Sequence, residues 1–331
     1  MPEVPDLPIL ARRRWVRDEA DWVRRALLLE PRGHRDMYGA IVLPAHRPDA
    51  DLAVLFLHTE GYSTMCGHGI IALTTGLIEE GRVPATLPLT TLRWETPAGL
   101  VVAEAGVAIG AHGGPEVREV RFRNVPSWRE RTGIVVAPEG VRLHGAARAR
   151  GGVAVELAFG GAYYGVVDVA ELGLRVEPAA TEALTRAGAA ITEALRRSVQ
   201  PAHPEDPDLS FVYGTILVDH DPASSPDGRA RDATLRNVTV FADAEVDRSP
   251  CGSGTSALLA MFAAQGRLRP GDEIVNAGIT GEAFRGRHEG DLMVAGRPGI
   301  ATSVAGNAYL TGRHTFVVDR RDPLGAGFLL R

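Results

Sequence analysis

The sequence predicts an α+β protein built from two related halves, and three features of the chain support this prediction. Two short segments, one early and one late, both read Cys-Gly-x-Gly-x-x-Ala-Leu, and they contain the only two cysteines, Cys66 and Cys251. Short strand-like and helix-like stretches alternate along the chain. The same order recurs around both cysteines: a strand, a loop, the motif and then an apolar helix. Each half is therefore expected to present one thiol at the start of a helix.

Length and composition indicate the broad class of protein. The chain has 331 residues, of which 45% are hydrophobic and 23% charged, which is ordinary for a globular protein and long enough for two domains. The net charge is −5 with no block of lysine or arginine, so neither nucleic acid nor a membrane surface is an expected partner. No apolar run approaches the roughly 20 residues of a membrane span, and no signal-peptide core is present. These features predict a cytoplasmic protein.

In the first half, the pattern of apolar residues predicts several strands and one helix. The helix is expected from His68 to Glu80, directly after Cys66, and Gly81 ends it. The strands, separated by glycine and proline, are expected at 40–43, 53–58, 91–96, 100–105 and 117–123.

In the second half, a Gly-Gly pair divides residues 153–169 into two β-branched runs, which predicts a hairpin or a bend. The longest helix is predicted at 178–199, and an apolar helix is predicted at 253–266, after the second cysteine. A polar loop is expected at 219–232. Further strands are expected at 214–219, at 234–242 and, near the C-terminus, at 311–319.

The glycines of the repeated motif indicate an anion site beside each thiol. They let a ligand approach the backbone at a helix start, where free N–H groups and the helix dipole attract an anion such as a carboxylate. The same position is expected to lower the pKa of a cysteine below its usual value of about 8.5. Two such thiols suit the inversion of a carbon that bears a carboxylate, because one can remove the α-proton while the other protonates the opposite face. This chemistry needs no metal and no organic cofactor.

Other interpretations of the cysteines remain open. Each could be a small buried apolar side chain, and the two could form a disulfide, although a reducing cytoplasm disfavours that bond. Cys66, His68 and Cys251 could bind a metal, but the spacings typical of metal ligands are absent. The segment Gly-Ser-Gly-Thr-Ser after Cys251 is similar to a phosphate-binding loop, without the Gly-Lys-Ser/Thr ending of a P-loop.

The two motifs and their surroundings resemble the proline racemase superfamily along nearly the whole chain. The matching segments are Met65-Cys66-Gly67-His68-Gly69, Asp247-Arg248-Ser249-Pro250-Cys251-Gly252-Ser253-Gly254-Thr255, Glu30-Pro31-Arg32-Gly33-His34-Arg35-Asp36-Met37-Tyr38-Gly39, Phe159-Gly160-Gly161-Ala162-Tyr163-Tyr164 and a Thr-Gly-x-x-x-Phe stretch near the end.

The resemblance implies a diaminopimelate-epimerase-like fold. In that fold two pseudo-symmetric halves, each a curled sheet or barrel around a central helix, hold the active site in the cleft between them. We expect residues 1–125 to form the half with Cys66, to which a C-terminal strand at about 307–331 could return. Residues 126–306 are expected to form the half with Cys251.

The resemblance also implies roles for individual residues. Cys66 and Cys251 would be the acid and base. The substrate carboxylate would be held by four backbone amides, those of Gly67, His68, Gly252 and Ser253.

Four side chains would contact the rest of the substrate. His68 and Asp247 would hold the amine, and Tyr38 and Phe241 would flank the ring of a proline-like molecule. From the residues alone, His68 would be interpreted as a surface histidine and Asp247 as a helix cap. Core packing is the alternative role of Tyr38 and Phe241.

The resemblance leaves the reaction open. Proline racemases and 4-hydroxyproline 2-epimerases have an acid/base residue for each face, with cysteine at the second motif. Trans-3-hydroxy-L-proline dehydratases typically have threonine where this chain has Cys251, yet the segments at 61–64, 240–243, 322–324 and 327–330 are similar to the dehydratases. We give the cysteine pair more weight, because protonation from the second face needs an ionisable group and a threonine hydroxyl is a poor one.

The expected function is therefore cofactor-independent racemisation or epimerisation at C2 of proline or a hydroxyproline by two thiols. One alternative is dehydration of trans-3-hydroxy-L-proline with Cys66 as the base. Another, from a different class, is a non-catalytic amino-acid-binding protein. The partner is expected to be a small molecule, and the resemblance suggests a homodimer.

Overall fold

Packing divides the chain into two compact units. The structure, a computed structural model, describes residues 2–220, 234–319 and 321–330. The first unit comprises Met1–Val120 with Asn307–Arg331, and the second comprises Arg121–Gly306. The polar loop predicted at 219–232 lies, apart from its first two residues, outside the described residues. No helix in the described parts of the chain is both long enough and apolar enough to cross a bilayer.

The first unit combines helices with a mixed sheet. Its strand order is β1-β2-β4-β5-β6, with β1/β2 and β4/β5 antiparallel and β2/β4 parallel. The short β3 pairs with β2 just before Cys66. The elements are α1 (Ile9–Glu19), α2 (Asp21–Leu28), β1 (Tyr38–Pro44), β2 (Leu52–His58), β3 (Tyr62–Ser63), α3 (Gly67–Glu79), β4 (Leu89–Thr96), β5 (Gly99–Ile109) and β6 (Pro115–Arg123), which runs across the unit boundary.

The helix predicted after the first cysteine is confirmed as α3. Its isoleucines Ile70, Ile71 and Ile78 are fully buried, and its Thr74 hydroxyl accepts a hydrogen bond from the indole of Trp94 on β4 at 3.1 Å. On the other side of β2, the helices α1 and α2 pack Val16 and Leu28 into a core cluster. The sheet is thus covered on both faces, which explains why β2 is almost continuously apolar.

The second unit contains the longer run of strands. Its strand order is β15-β14-β13-β11-β10-β9-β8-β7, in which β9/β10 and β11/β13 are the parallel pairs. The elements are β7 (Trp128–Val136), α4 (Gly145–Arg150), β8 (Val153–Phe159), β9 (Tyr163–Asp168), α5 (Thr181–Ser198), β10 (Val212–His220), β11 (Thr234–Phe241), β12 (Glu245–Val246), α6 (Gly252–Ala264), β13 (Glu273–Ala277), β14 (Ala283–Val294) and β15 (Arg297–Gly306).

The sheet of the second unit curls around α6. This helix contacts β14 and β15 at one end of the strand order and β7 and β8 at the other. The two ends also meet directly, through a backbone bridge between Ser127 and Ile300. Every residue of α6 from Gly252 to Phe262 is buried. A helix that is apolar all round requires such an enclosure, and each fully buried leucine contributes about 1.5–3 kcal/mol.

Three further predictions for this unit are confirmed, with small differences at the ends. The longest predicted helix is α5, preceded by one turn of 3₁₀ helix at Pro178–Ala180. The helix after the second cysteine is α6. The Gly-Gly pair separates β8 from β9, which are antiparallel neighbours.

The strand predicted at 311–319 is wrong. This segment pairs with no strand among the described residues, and its apolar side chains are exposed, with Val317 80% and Phe316 45% exposed. Alternating apolar residues favour a strand only where another backbone supplies hydrogen bonds, and no such partner is in place here.

A glycine substitution tests how tightly β8 packs against the start of α6. A Cβ on Gly160 would lie 2.2 Å from the carbonyl oxygen of Ser253, a backbone atom that cannot move without the helix. Gly160→Ala should therefore lower the free energy of unfolding by about 1–3 kcal/mol in urea denaturation. The matched control is Gly76→Ala in α3, where a Cβ meets nothing within 4 Å and the gain in helix propensity should raise stability by up to about 1 kcal/mol. Equal stabilities of the two variants would contradict this packing.

Candidate active site

Each unit places one cysteine at the start of a helix in the same way. Cys66 is the N-cap of α3, and its Sγ accepts a hydrogen bond from the backbone amide of Gly69 at 3.2 Å. Cys251 is the N-cap of α6, and its Sγ accepts from the amide of Gly254 at 3.3 Å. The sulfur therefore takes the place that a serine or aspartate oxygen usually has at a helix start. Both cysteines are free thiols, so the disulfide interpretation is wrong.

The two thiols differ in exposure and backbone conformation. Cys66 is partly exposed and has an extended backbone, with φ −141°. Cys251 is buried, and its φ of 62° lies in the left-handed region that residues other than glycine rarely adopt. Such a conformation costs about 1–3 kcal/mol and persists only where the surroundings enforce it.

A buried amide cluster enforces the backbone at Cys251. Asn237 on β11 and Asn276 on β13 both donate to the carbonyl oxygen of Pro250, at 3.0 and 3.3 Å. Asn276 also donates to the hydroxyl of Thr255, which in turn donates to the carbonyl oxygen of Cys251 at 2.8 Å. Both asparagines are almost completely buried, so each lost bond would leave an unsatisfied polar group.

Burial dominates the electrostatics of the second thiol. It raises the pKa of Cys251 to about 12, and the negative charge of Asp247 acts in the same direction. Hydrogen bonds from the amide of Gly254 and from the hydroxyls of Thr239 and Ser253 oppose the rise without cancelling it. The expectation that the helix start lowers the cysteine pKa is therefore wrong for Cys251, because desolvation of the charged form outweighs the helix start.

In the first unit the predicted residues lie near the start of α3. Gly67 and His68 are its first two residues, the former buried and the latter exposed. Tyr38, at the start of β1, is hydrogen-bonded through its hydroxyl to Ser63, three residues before Cys66. The Tyr38 ring also stacks on His58, with centroids 6.2 Å apart.

In the second unit the predicted residues lie around the start of α6. Gly252 and Ser253 are its first two residues, and both are buried. Asp247 accepts a hydrogen bond from the amide of Ser249 at 2.8 Å. Phe241, at the end of β11, is buried and stacks on Tyr213, with centroids 5.3 Å apart and an interplanar angle of 14°.

Sequence reasoning did not assign a role to Tyr164 or to the two asparagines. Tyr164 lies inside the quoted Phe-Gly-Gly-Ala-Tyr-Tyr segment, and the structure places its hydroxyl beside Cys251. The asparagines left little signal in the sequence: Asn276 lies between Val275 and Ala277, but Asn237 directly follows Arg236 in a strand that also contains threonines. In the described residues, no three His, Cys, Asp or Glu side chains are close enough together to hold a metal ion.

The chain belongs to the proline racemase family, whose model matches residues 1–329. It is 42% identical over 334 residues to a trans-3-hydroxy-L-proline dehydratase of Burkholderia ambifaria and 41% identical over 332 residues to a 3-hydroxyproline 2-epimerase of Burkholderia multivorans. Each alignment covers 100% of this chain and 92% of the relative. The family's members are enzymes, either isomerases or lyases, so both enzyme classes expected from the sequence are represented.

Solved structures confirm the predicted fold. A hydroxyproline epimerase from Agrobacterium vitis, with bound trans-4-hydroxy-L-proline, has a TM-score of 0.87 at 32% identity and covers 99% of this chain and 89% of its own. A probable proline racemase from Agrobacterium radiobacter, with bound carbonate, has the same TM-score at 31% identity and covers 100% and 91%. The α+β fold of the proline racemase family is therefore the fold of this chain.

The difference between the thiols predicts selective alkylation. At pH 7.5 iodoacetamide should label Cys66 before Cys251, because Cys251 is buried and its raised pKa leaves almost no thiolate. Labelling of Cys251 should become faster as the pH rises. At pH 7.5 it should remain slow as long as the protein is folded. Peptide mass spectrometry of samples quenched over time measures both rates. Equal rates at pH 7.5 in the folded protein would contradict a buried, protonated Cys251.

Proposed function

We propose that the enzyme inverts C2 of proline or a hydroxyproline, with Cys66 and Cys251 as the acid and base for opposite faces of that carbon. The observation that carries the proposal is the same sulfur-to-amide hydrogen bond at the start of one helix in each unit. A two-base inversion needs one ionisable group for each face. The chain has two candidate groups, one thiol at a helix start in each unit, in a family that includes hydroxyproline epimerases.

The start of each helix supplies the contacts for the substrate carboxylate. The first amides of a helix have no partner within the helix and carry its positive dipole end. The amides assigned to this role are those of Gly67, His68, Gly252 and Ser253. As C2 loses its proton, negative charge spreads onto the carboxylate, so the same hydrogen bonds strengthen in the transition state.

The amine and ring of the substrate are assigned to side chains near the two helix starts. Asp247 is charged and close enough to Cys251 to raise its pKa, which places a carboxylate suited to the substrate ammonium beside the thiol. His68 is exposed at the first turn of α3 and is assigned to the same ammonium. Tyr38 and Phe241 are assigned to the two sides of the ring.

The raised pKa of Cys251 suits it to act as the acid when the L-substrate reacts. At neutral pH it is a thiol, so it can protonate C2 after Cys66 has taken the α-proton. The negative charge of Asp247 raises the pKa of Cys251, and a substrate ammonium beside Asp247 neutralises part of that charge. Substrate binding therefore makes the Cys251 thiol a stronger acid. In the reverse direction Cys251 must lose its proton, and the amide of Gly254 then stabilises the thiolate.

The second candidate function is dehydration of trans-3-hydroxy-L-proline, which is favoured by the names of several relatives at 40–42% identity. Both reactions begin with removal of the C2 proton by Cys66. In the first reaction the carbanion is then protonated on its second face. In the second, the carbanion expels the 3-hydroxyl, which takes up a proton and leaves as water. The remaining enamine tautomerises to a cyclic imine. A thiol at position 251 favours the first outcome because it offers a proton to C2. The alternative from another class, a non-catalytic amino-acid-binding protein, finds no support, since the relatives are named as enzymes.

The product formed from trans-3-hydroxy-L-proline separates the two functions. The proposal predicts cis-3-hydroxy-D-proline, which forms by inversion of C2 alone and is detected by NMR and chiral chromatography. L-proline and trans-4-hydroxy-L-proline, assayed in parallel, establish which ring is preferred. Appearance of the cyclic imine as the main product, with no epimer from any of the three substrates, would contradict the proposal and establish the dehydratase.

We further propose that the enzyme acts in the cytoplasm as a homodimer.

Serine substitutions test whether both thiols act. Cys251→Ser should reduce inversion by at least about 100-fold, because a hydroxyl is a poor acid/base group, and any dehydration of the 3-hydroxy substrate should survive. Cys66→Ser should reduce both reactions. Both changes are nearly isosteric, and unchanged thermal midpoints would serve as the folding control. Full epimerase activity in Cys251→Ser would remove this thiol from the mechanism.

A further inference from the structure

A buried tyrosine hydroxyl lies directly beside the second thiol. Tyr164, on β9, is only 1% exposed, and its hydroxyl is 2.8 Å from the Oγ of Ser253 and 3.8 Å from the Sγ of Cys251. The Oγ of Ser253 is itself 3.8 Å from the same sulfur. Three exchangeable protons therefore meet in one buried cluster, formed by a phenol, an alcohol and a thiol.

The tyrosine ring is held in place by its neighbours. Its edge contacts the ring of Tyr213 at 5.8 Å with an interplanar angle of 87°, and Tyr213 stacks on Phe241. β9 is hydrogen-bonded on both sides, to β8 and β10. The hydroxyl consequently has little freedom other than rotation of its own proton about the C–O bond.

The phenol acts only as a hydroxyl and never as a phenolate. Burial raises the pKa of Tyr164 well above its ordinary value, and the nearby Cys251 and Tyr213 raise it further. One O–H proton thus has two acceptors within reach. When Cys251 is a thiol, its S–H can donate to the Tyr164 oxygen while the Tyr164 O–H donates to Ser253. When Cys251 is a thiolate, the same O–H can turn to the sulfur.

We propose that Tyr164 is a positioning residue for Cys251. While the thiol is protonated, the Tyr164 hydroxyl orients the hydroxyl of Ser253. When the thiol loses its proton, the Tyr164 hydroxyl donates its hydrogen bond to the sulfur. Its kinetic consequence rests on the proposed function, in which Cys251 exchanges a proton with C2 in every turnover. The hydrogen bond itself does not depend on the substrate. The other groups that act on this thiol are the charge of Asp247, the hydroxyl of Thr239 and the amide of Gly254.

The test measures the reactivity of Cys251 alone. In a Cys66→Ala background, the small neutral reagent methyl methanethiosulfonate modifies only Cys251, and intact-protein mass spectrometry follows the rate between pH 7 and 9.5. Loss of a hydrogen bond to a thiolate should raise the thiol pKa by about one unit, which lowers the thiolate fraction tenfold. Higher intrinsic nucleophilicity recovers part of that loss, so Tyr164→Phe should react about threefold more slowly.

The neighbouring residue provides a matched control. Tyr163 is fully buried, and its hydroxyl has no hydrogen-bond partner among the described residues. Tyr163→Phe removes the same atom one position away and should leave the modification rate unchanged. A merely structural role for Tyr164 gives the opposite sign, because loosened packing would expose Cys251 and speed its modification. Equal or faster modification in Tyr164→Phe than in Tyr163→Phe would overturn the proposal.

The intact enzyme provides a second readout. With both cysteines present, Tyr164→Phe should lower kcat by about threefold or more while KM changes little, and Tyr163→Phe should leave both constants unchanged. If no tested substrate is inverted, the proposed function fails, yet the modification rates still decide the role of Tyr164. Normal kcat in Tyr164→Phe together with unchanged modification would show that the hydroxyl has no role.

Discussion

A hydrogen bond from a backbone amide to a cysteine sulfur, at the start of a helix, is the contact on which the rest of the structure depends. It occurs once in each unit, to Cys66 and to Cys251. The cap fixes each sulfur next to the first amides of a helix, so one short motif could supply both groups that the proposed function requires, an acid/base thiol and an anion site. The surrounding sheets hold these helix starts, and in the second unit the sheet curls around α6.

The two units use this contact under different conditions. Cys66 is partly exposed with an ordinary backbone, whereas Cys251 is buried, conformationally strained and held by the amides of Asn237 and Asn276. Burial keeps Cys251 protonated at neutral pH. Such asymmetry suits the proposed inversion, in which one thiol begins as the base and the other as the acid. In that proposal the hydroxyls of Tyr164 and Ser253 stabilise the Cys251 thiolate when the two roles reverse.

The local parts of the fold could be predicted from the sequence, and the long-range parts could not. The helix after Cys66 was predicted at 68–80 and observed at Gly67–Glu79, because capping and apolar spacing are read within a dozen residues. The prediction of a strand at 311–319 was wrong, since strand pairing depends on a backbone that is distant in the chain. The prediction of a lowered pKa was wrong for Cys251, since the helix start is visible in the sequence but the depth of burial is not. The proximity of Tyr164 to Cys251 could not be predicted, because 87 positions separate the two residues in the chain.

The central claim is that two monoprotic thiols act on opposite faces of one carbon, and deuterium incorporation during the first few per cent of turnover tests it most directly. In D₂O, trans-3-hydroxy-L-proline and the accumulating epimer are separated and analysed by mass spectrometry. The account predicts an epimer with one deuterium at C2, while unreacted substrate keeps its protium, because the base that removes the proton is not the acid that returns one. An epimer that retains the original hydrogen, or substrate that exchanges faster than it inverts, would show that a single group serves both faces.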